Sequence, residues 1–227
     1  MRIWNDLLYL FFPRLCLLCR RPLVEGEEHI CLHCAEDLPY TYYIDVYANP
    51  VYRLVKERFP VEAATAFLFF KQGGSAQTLI HALKYDGNRQ LGYHLGRMAA
   101  LEYRESGLFD AVDCLLPVPL HPKRERKRGY NQSEWIARGV QSVTGLPIDR
   151  TSLVRERKNE SQTHKSLSER QQNVAHIFRV QDADVLSGKH VLLLDDVITT
   201  GSTLGACIEA LQEVPGIRIS VLGMTVA

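Results

Sequence analysis

Two patterns of apolar and polar positions alternate along this chain, one typical of strands and the other of helices. Apolar runs bounded by turn residues are typical of buried strands and cover residues 62–70, 111–120, 190–194 and 217–226. Helical spacing recurs between them over residues 75–83, 91–103, 132–143 and 202–213, with Ser75 as the predicted cap of the first helix. Strands that alternate with helices predict an α/β fold, built on a parallel sheet flanked by helices.

The N-terminal part of the chain follows neither pattern for long. Residues 3–18 superficially resemble a secretory signal, but Asp6 and the pair Pro13 and Arg14 interrupt the apolar run, and no small-residue cleavage site follows. We predict a short amphipathic lead-in helix there, and a connector with some helix over residues 35–60. Because no run of about 18 apolar residues occurs, no membrane span is predicted. We therefore expect a cytoplasmic protein.

Four of the six cysteines lie within 19 residues as two Cys-x-x-Cys pairs, Cys16 with Cys19 and Cys31 with Cys34. Each pair can point two thiolates at one tetrahedral ion while the intervening hairpin brings the pairs together. Two disulfides or four buried thiols are the alternatives, and disulfides are disfavoured in a cytosolic protein. The spacing predicts a zinc site that is structural and closed. The two remaining cysteines stand alone in apolar patterns and are expected in the core.

Composition narrows the classes of function. The chain has 227 residues, of which 46% are hydrophobic and 23% charged, as in soluble globular proteins. These values exclude a disordered tail protein and a disulfide-dense mini-protein. The 27 Lys and Arg residues nearly balance the 26 Asp and Glu residues, for a net charge of +1. Any affinity for polyanions must therefore come from local patches of charge.

The most informative segment runs from a buried strand through two carboxylates into a hydroxyl-rich loop. Asp195 and Asp196 follow the apolar run, ahead of a short polar loop and a helix. Ligands of open α/β sheets bind at the carboxyl ends of strands. A loop of this kind at a helix N-terminus offers hydroxyls and free backbone N–H groups to a monophosphate. The candidate phosphate-binding residues are Thr199, Thr200, Gly201, Ser202 and Thr203.

The pattern of this segment differs from two common nucleotide-binding motifs. Neither GxxxxGK[ST] nor GxGxxG is present, which argues against an NTPase and against a dinucleotide enzyme. A solvated strand end followed by a capping turn is the purely structural alternative. The carboxylates stand close enough to the loop to accept hydrogen bonds from the hydroxyls of a sugar that carries the bound phosphate.

Two basic segments complete the candidate chemistry. Residues 123–128 carry five basic side chains and one acid, a local charge of +4, for which a solvated helix face is the usual explanation. Residues 155–165 are polar without apolar periodicity and predict a long mobile loop. The basic residues singled out as candidate ligands of an anion are Lys123, Arg124, Arg128, Arg155, Arg157 and Lys158.

The segment VLLLDDVITTGST, residues 191–203, strongly resembles the phosphoribosyl pyrophosphate (PRPP) motif of type I phosphoribosyltransferases. Together with the cysteine pairs, PVPLHPKRERKRGYNQ and the middle motif RER…SQT…LSERQQNV…F, it resembles the ComF/GntX family over nearly the full length. Members of that family are similar to type I phosphoribosyltransferases in fold. The family's middle motif falls here on Arg155, Arg157, Gln162, Leu167, Arg170 and Asn173. Asn159 stands where many members carry threonine.

The resemblance implies a site and a reaction. Asp195 and Asp196 would hold the ribose 2′ and 3′ hydroxyls of PRPP, and the loop from Thr199 to Thr203 its 5′-phosphate. A nitrogen nucleophile would displace pyrophosphate from C1′, with Mg²⁺ bridging the pyrophosphate and the ribose hydroxyls. The six basic candidates would bind the pyrophosphate, because charge builds on this leaving group as the glycosidic bond breaks. The same resemblance implies a role in natural transformation, in the handling of incoming single-stranded DNA alongside other DNA-uptake proteins.

Rival functions stay open at this point. A non-catalytic module could sense PRPP, or could bind single-stranded nucleic acid with Tyr130 and Trp135 as stacking residues. A nucleobase salvage phosphoribosyltransferase is another possibility. However, Thr199 stands where salvage enzymes for 6-oxopurines carry an acid, and threonine does not assist proton transfer near neutral pH. A purely structural partner in a DNA-uptake complex is the last alternative.

The resemblance also divides the chain. Residues 1–45 are assigned to a zinc-binding module with its lead-in helix, and residues 46–74 to a connector and the first strand. Residues 75–227 are assigned to the type I phosphoribosyltransferase-like domain.

Overall fold

A parallel four-stranded sheet forms the centre of the computed structural model, which describes residues 13–155 and 177–227. The predicted lead-in helix, and most of the predicted mobile loop, lie outside the described residues. In spatial order the strands are β1 (Ala64–Phe69), β6 (Arg218–Val226), β5 (His190–Ile198) and β2 (Cys114–Pro117). A separate antiparallel pair consists of β3 (Leu153–Arg155) and β4 (Phe178–Val180).

Helices connect the strands and cover both faces of the sheet. In chain order they are α1 (Leu32–Glu36), α2 (Pro50–Lys56), α3 (Ser75–Tyr85), α4 (Arg89–Glu102), α5 (Pro122–Arg128), α6 (Gln132–Thr144), α7 (Ala183–Leu186) and α8 (Ser202–Gln212). Apolar residues of α3, α4 and α6 share one core cluster with the cysteine-rich N-terminal segment. Residues of α2, α8, β3 and β4 share the cluster on the other face. The predicted α/β class, a parallel sheet between helices, is confirmed.

Two glycines allow α4 and α6 to lie in direct backbone contact. A Cβ at Gly96 would lie 2.1 Å from the carbonyl oxygen of Ile136, and one at Gly139 would lie 2.1 Å from that of Tyr93. Real Cβ atoms do not approach a carbonyl oxygen so closely, so only glycine fits at these positions. The contact fixes α6, and with it the segment that leads into α6 from the basic residues.

The structure corrects two details of the predicted elements and gives the bounds of a short basic helix. The cap of α3 is Gly74, and Ser75 is the first helical residue. Strand β5 continues to Ile198, so Asp195 and Asp196 lie within the strand and not after it. The run 123–128 forms a helix of its own, which Pro122 starts and Gly129 ends with a φ of +81°. Proline fits the first helical turn and glycine fits the left-handed position that terminates it.

Candidate functional site

The four N-terminal cysteines converge on one point. Their Sγ atoms all lie within 4.8 Å of one another, and those of Cys19 and Cys31 are 3.7 Å apart. That spacing is too long for a disulfide. It matches the edge of a tetrahedron with metal–sulfur bonds of about 2.3 Å, which is about 3.8 Å. The cluster can therefore hold a metal ion, and its four sulfurs are the donors that zinc prefers.

Backbone N–H groups prepare this cluster for a cation. The N–H of Cys31 donates to the Sγ of Cys16 at 3.4 Å. Burial opposes ionisation of Cys16, but hydrogen bonds from the N–H groups of Cys19 and Cys31 lower its pKa to about 6. Burial and the neighbouring sulfurs raise the pKa of Cys34. A divalent cation favours the thiolate form of every ligand, so metal binding here releases protons.

Glu27 supports the hairpin between the two cysteine pairs, although nothing in its sequence context singled it out. Its carboxylate accepts hydrogen bonds from the backbone N–H of Val24 at 2.9 Å and of Leu32 at 2.8 Å. These bonds lower the pKa of Glu27. The module also contacts the sheet domain, since Nδ2 of Asn88 lies 3.3 Å from Nδ1 of His29.

The acid pair sits where β5 approaches its carboxyl end. Asp195 is 7% exposed, and its Oδ1 accepts the backbone N–H of Asp196 at 2.8 Å. Burial, and then the adjacent Asp196 carboxylate, raises the pKa of Asp195. The charges of Lys84 and Arg155 oppose that rise. The buried Cys207 thiol of α8 lies near Asp195, and its own pKa is raised by burial.

Lys84 binds the second carboxylate, which sequence reasoning did not anticipate. Its Nζ lies 2.8 Å from Oδ1 of Asp196, and the two side chains are 20% and 13% exposed. Lys84 belongs to the last turn of α3, on the face of the sheet opposite α8. The two neighbouring acids therefore have different surroundings. Asp196 pairs with a lysine, whereas Asp195 lies near a buried thiol and an arginine.

The hydroxyl-rich loop leads directly into α8 beside the acids. Gly201 takes the left-handed conformation with a φ of +75°, and its C=O accepts the N–H of Gly205 at 2.7 Å. The hydroxyls of Thr200 and Ser202 are exposed and lie 2.7 Å apart. A shallow concavity joins Asp195 to the loop; it is lined by Asp195, Val197, Ile198, Thr199, Thr200, Gly201, Ser202, Thr203 and Leu204. The predicted phosphate loop and acid pair thus lie together at one helix N-terminus, a favourable place for an anion.

Arg155 brings positive charge to the same region. It ends β3, and its guanidinium carbon lies 5.2 Å from the centre of the Phe178 ring. Burial, and then the charge of Arg124, lowers the pKa of Arg155. Within residues 13–155 and 177–227, its buried Nε has no hydrogen-bond partner. A buried guanidinium donor next to a carboxylate and a second arginine fits an anionic ligand.

The other predicted pyrophosphate ligands divide into three groups. Lys123 and Arg124 lie on the exposed surface of α5. Arg128, at the end of α5, instead stacks on Tyr85, with its guanidinium carbon 5.2 Å from the ring centre. Arg157 and Lys158 lie outside the described residues, as do Gln162, Leu167, Arg170 and Asn173.

Neither predicted stacking residue offers a free ring face for that role. Tyr130 is buried, and its hydroxyl donates to the carbonyl oxygen of Leu83. Trp135 is partly buried, and the guanidinium carbons of Arg89 and Arg138 lie 4.9 and 4.7 Å from its ring centre. A buried amide was missed as well, since Nε2 of Gln132, at the start of α6, has no partner in the part of the chain that the structure describes.

Comparisons with known proteins connect this geometry to a family. Residues 127–222 match the phosphoribosyl transferase domain. The DNA utilization protein YhgH of Escherichia coli O157:H7 is 29% identical over 208 residues, which cover 85% of this chain and 88% of the relative. The competence protein F of Haemophilus influenzae is 25% identical over 225 residues, 94% of this chain and 97% of the relative. The chain is a homologue of the ComF/YhgH proteins.

Two further comparisons cover less of the molecule. The competence protein ComFC of Bacillus subtilis is 32% identical over 99 residues, 44% of this chain and 38% of the relative. Among solved structures, the match to the allosteric regulatory enzyme of purine biosynthesis covers 63% of this chain and 30% of the enzyme's chain. The sequence identity is 20% and the TM-score is 0.44.

The domain match and the parallel sheet establish a type I phosphoribosyltransferase-like fold for this ComF homologue, with a four-cysteine cluster at its N-terminus. The matched residues include α6, β5 and α8, and hence the acid pair and the hydroxyl-rich loop. They do not include the cysteine cluster, β1 or α3. Among the described residues, no helix is long and apolar enough to cross a bilayer.

Proposed function

We propose that this ComF homologue is a PRPP-binding phosphoribosyltransferase-like protein that acts in the cytoplasm on incoming single-stranded DNA. One observation carries the proposal: a largely buried acid pair, a hydroxyl-rich loop at a helix N-terminus, and Arg155, whose Nε has no hydrogen-bond partner among the described residues, lie together near the end of β5. PRPP carries a diol, a monophosphate and a pyrophosphate, and each finds a complementary group there. The names of the YhgH, competence protein F and ComFC relatives support the link to DNA.

Each part of the ligand has an assigned partner in this proposal. Asp195 and Asp196 accept hydrogen bonds from the ribose 2′ and 3′ hydroxyls, and the loop from Thr199 to Thr203 binds the 5′-phosphate. Lys123, Arg124 and Arg155 neutralise the pyrophosphate, and Arg128, Arg157 and Lys158 are the remaining candidates. Mg²⁺ comes with PRPP and spreads the charge of the pyrophosphate. Zinc occupies the four-cysteine cluster and stabilises the N-terminal module.

Calorimetric titration of the metal-loaded protein with PRPP and Mg²⁺ tests the proposal. We expect saturable binding in the wild type, and a loss of at least about tenfold in affinity when Asp195→Asn and Asp196→Asn are combined, because charged acceptors contribute more than neutral ones. The control is Asp184→Asn, an exposed acid on α7. Equal PRPP affinity in the double variant and the wild type would contradict the assignment of the ribose site.

A non-catalytic role in nucleic-acid binding is the second candidate, and the exposed basic surface of α5 supports it. Lys and Arg side chains on a surface bind phosphate backbones, with an affinity that falls steeply as salt rises. Pyrophosphate release on addition of nucleobases or single-stranded DNA would establish transfer. Salt-dependent oligonucleotide binding without pyrophosphate release would establish the binding role instead.

A further inference from the structure

The last turn of α3 contributes to the acid pair from outside the segment that matches the phosphoribosyl transferase domain. That match begins at residue 127, whereas Lys84 lies on a helix that follows the edge strand β1. Its Nζ nevertheless lies 2.8 Å from Oδ1 of Asp196. The N-terminal part of the chain therefore supplies a charge to a site whose acid pair, hydroxyl-rich loop and Arg155 all lie within the matched segment.

This ion pair is partly withdrawn from water on both sides. The Lys84 and Asp196 side chains are 20% and 13% exposed, whereas the ion pairs of Arg138 and Arg150 with Glu134 each include a side chain more than 40% exposed. Exposed pairs are screened by solvent and contribute little, while a desolvated pair holds its geometry. Lys84 thus fixes the Asp196 carboxylate, and its charge offsets the repulsion from Asp195.

Two contacts hold the same turn against the basic segment. The hydroxyl of Tyr130 donates to the carbonyl oxygen of Leu83, the residue before Lys84. The guanidinium of Arg128 stacks on Tyr85, the residue after it, at 5.2 Å. Arg128 and Tyr130 flank Gly129, where α5 ends. The last turn of α3 is therefore connected to the strand with the acids and to the helix with the arginines.

We propose that Lys84 is a positioning residue of the phosphoribosyl site, which acts through Asp196 on the ribose diol. The proposal rests on the proposed function, because it assigns Asp196 to the ribose of PRPP. Lys84 holds the Asp196 carboxylate in one orientation through this ion pair, so the ribose hydroxyls meet a fixed acceptor. Its effect falls on ligands that carry a ribose, and pyrophosphate alone does not depend on it.

The experiment compares three probes in calorimetry: PRPP with Mg²⁺, ribose 5-phosphate, and pyrophosphate with Mg²⁺. In Lys84→Met we expect the affinity for PRPP and for ribose 5-phosphate to fall about tenfold, the effect of losing an opposite charge beside a carboxylate. The affinity for pyrophosphate should change by less than about twofold. Lys84→Arg, which keeps the charge, should restore most of the lost affinity. Lys56→Met is the control. Lys56 ends α2, on the other face of the sheet, and its Nζ donates to the carbonyl oxygen of Val61.

A second variant covers the case in which Lys84→Met does not fold. Tyr130→Phe removes the hydrogen bond to Leu83 and leaves every charge in place, and we expect a loss of about threefold for ribose 5-phosphate, the size of one neutral hydrogen bond. A fall in pyrophosphate affinity equal to that of ribose 5-phosphate in Lys84→Met would overturn the inference, as would unchanged affinity for all three probes in a folded variant. Absence of PRPP binding in the wild type would instead refute the proposed function.

Discussion

The cysteine cluster and the proposed phosphoribosyl site differ in how much of the chain supplies their residues. All four cysteines of the candidate metal site come from 19 consecutive residues, held by a hairpin and one short helix. The second site draws Lys84 from α3, Arg155 from β3, the acids from β5 and its hydroxyls from the start of α8. A compact motif is specified by local spacing, whereas a distributed site exists only once the sheet has formed.

The largest expected effect is the loss of bound metal from the cysteine cluster. Cys31→Ser leaves three sulfur ligands, so we expect the metal content to fall from about one equivalent to near zero and the N-terminal module to unfold. Cys114→Ser is the matched control, since this buried cysteine lies on β2 and not in the cluster. Metal analysis and thermal unfolding measure both variants. A full metal content in Cys31→Ser would contradict the four-ligand site.

A substitution of Arg155 tests the proposed phosphoribosyl site, which is built from distant segments of the chain. In Arg155→Met we expect the affinity for pyrophosphate with Mg²⁺ to fall about tenfold, because a charged donor is lost, while metal content stays unchanged. Arg150→Met is the control; that arginine lies five residues earlier and pairs with Glu134 at the surface. Calorimetry with pyrophosphate gives the readout. Equal affinities in the two variants would remove Arg155 from the site.

The pH dependence of the free energy of unfolding tests whether Asp195 sits in a site that disfavours its charged form. Burial raises the pKa of Asp195, so the folded protein holds this proton more tightly than the unfolded chain. The resulting stability is complete below the ordinary carboxyl pKa and is lost as pH rises through the raised value. Asp195→Asn does not ionise, and should exceed the wild type by roughly 1 to 3 kcal/mol at neutral pH.

Urea unfolding between pH 4 and pH 8 measures this difference, which should close toward the acid end. A constant difference across that range would show that Asp195 is not titrating in the folded protein. A less stable variant at neutral pH would mean that the carboxylate has a stabilising partner in the fold.

The smallest expected effect comes from a matched pair of glycines. Gly201 and Gly145 have φ angles of +75° and +74°, and a Cβ would meet nothing within 4 Å at either position. Alanine should cost each about 1 kcal/mol of stability through the left-handed backbone alone. Only Gly201→Ala should also lower the affinity for ribose 5-phosphate, by about threefold, because the loop that contains Gly201 presents N–H groups to the phosphate. Equal binding in both variants would argue against the loop as the phosphate site.

What the sequence predicted follows the same division between local and distributed features. The cysteine spacing and the strand–acid–loop order are local patterns, and the sulfur cluster and the fold class were both predicted from them. Lys84 could not be found this way, because its contact with Asp196 joins α3 to β5, two elements that are far apart in the sequence. Its only local signal is its position before Tyr85 and Asp86 at a helix end, which many surface lysines share.

Packing decides the surroundings of aromatic and basic residues that the sequence pattern leaves open. Tyr130 follows a highly charged run, yet the residue is only 9% exposed and its hydroxyl donates to the carbonyl oxygen of Leu83 on α3. Arg128 belongs to the charged run but turns toward Tyr85. Helix periodicity is weak in a seven-residue element such as α5, so the directions of its side chains are set by packing rather than by pattern.

Hydrogen–deuterium exchange with and without PRPP and Mg²⁺ tests most directly whether one ligand joins these distant segments. We expect added protection together in the last turn of α3, in β3, and in the loop at the start of α8, with no change in residues 16–34 around the cysteines. That pattern would match a site assembled by the fold beside an independent metal module. Protection confined to the loop at the start of α8, or spread equally over the cysteine cluster, would contradict it.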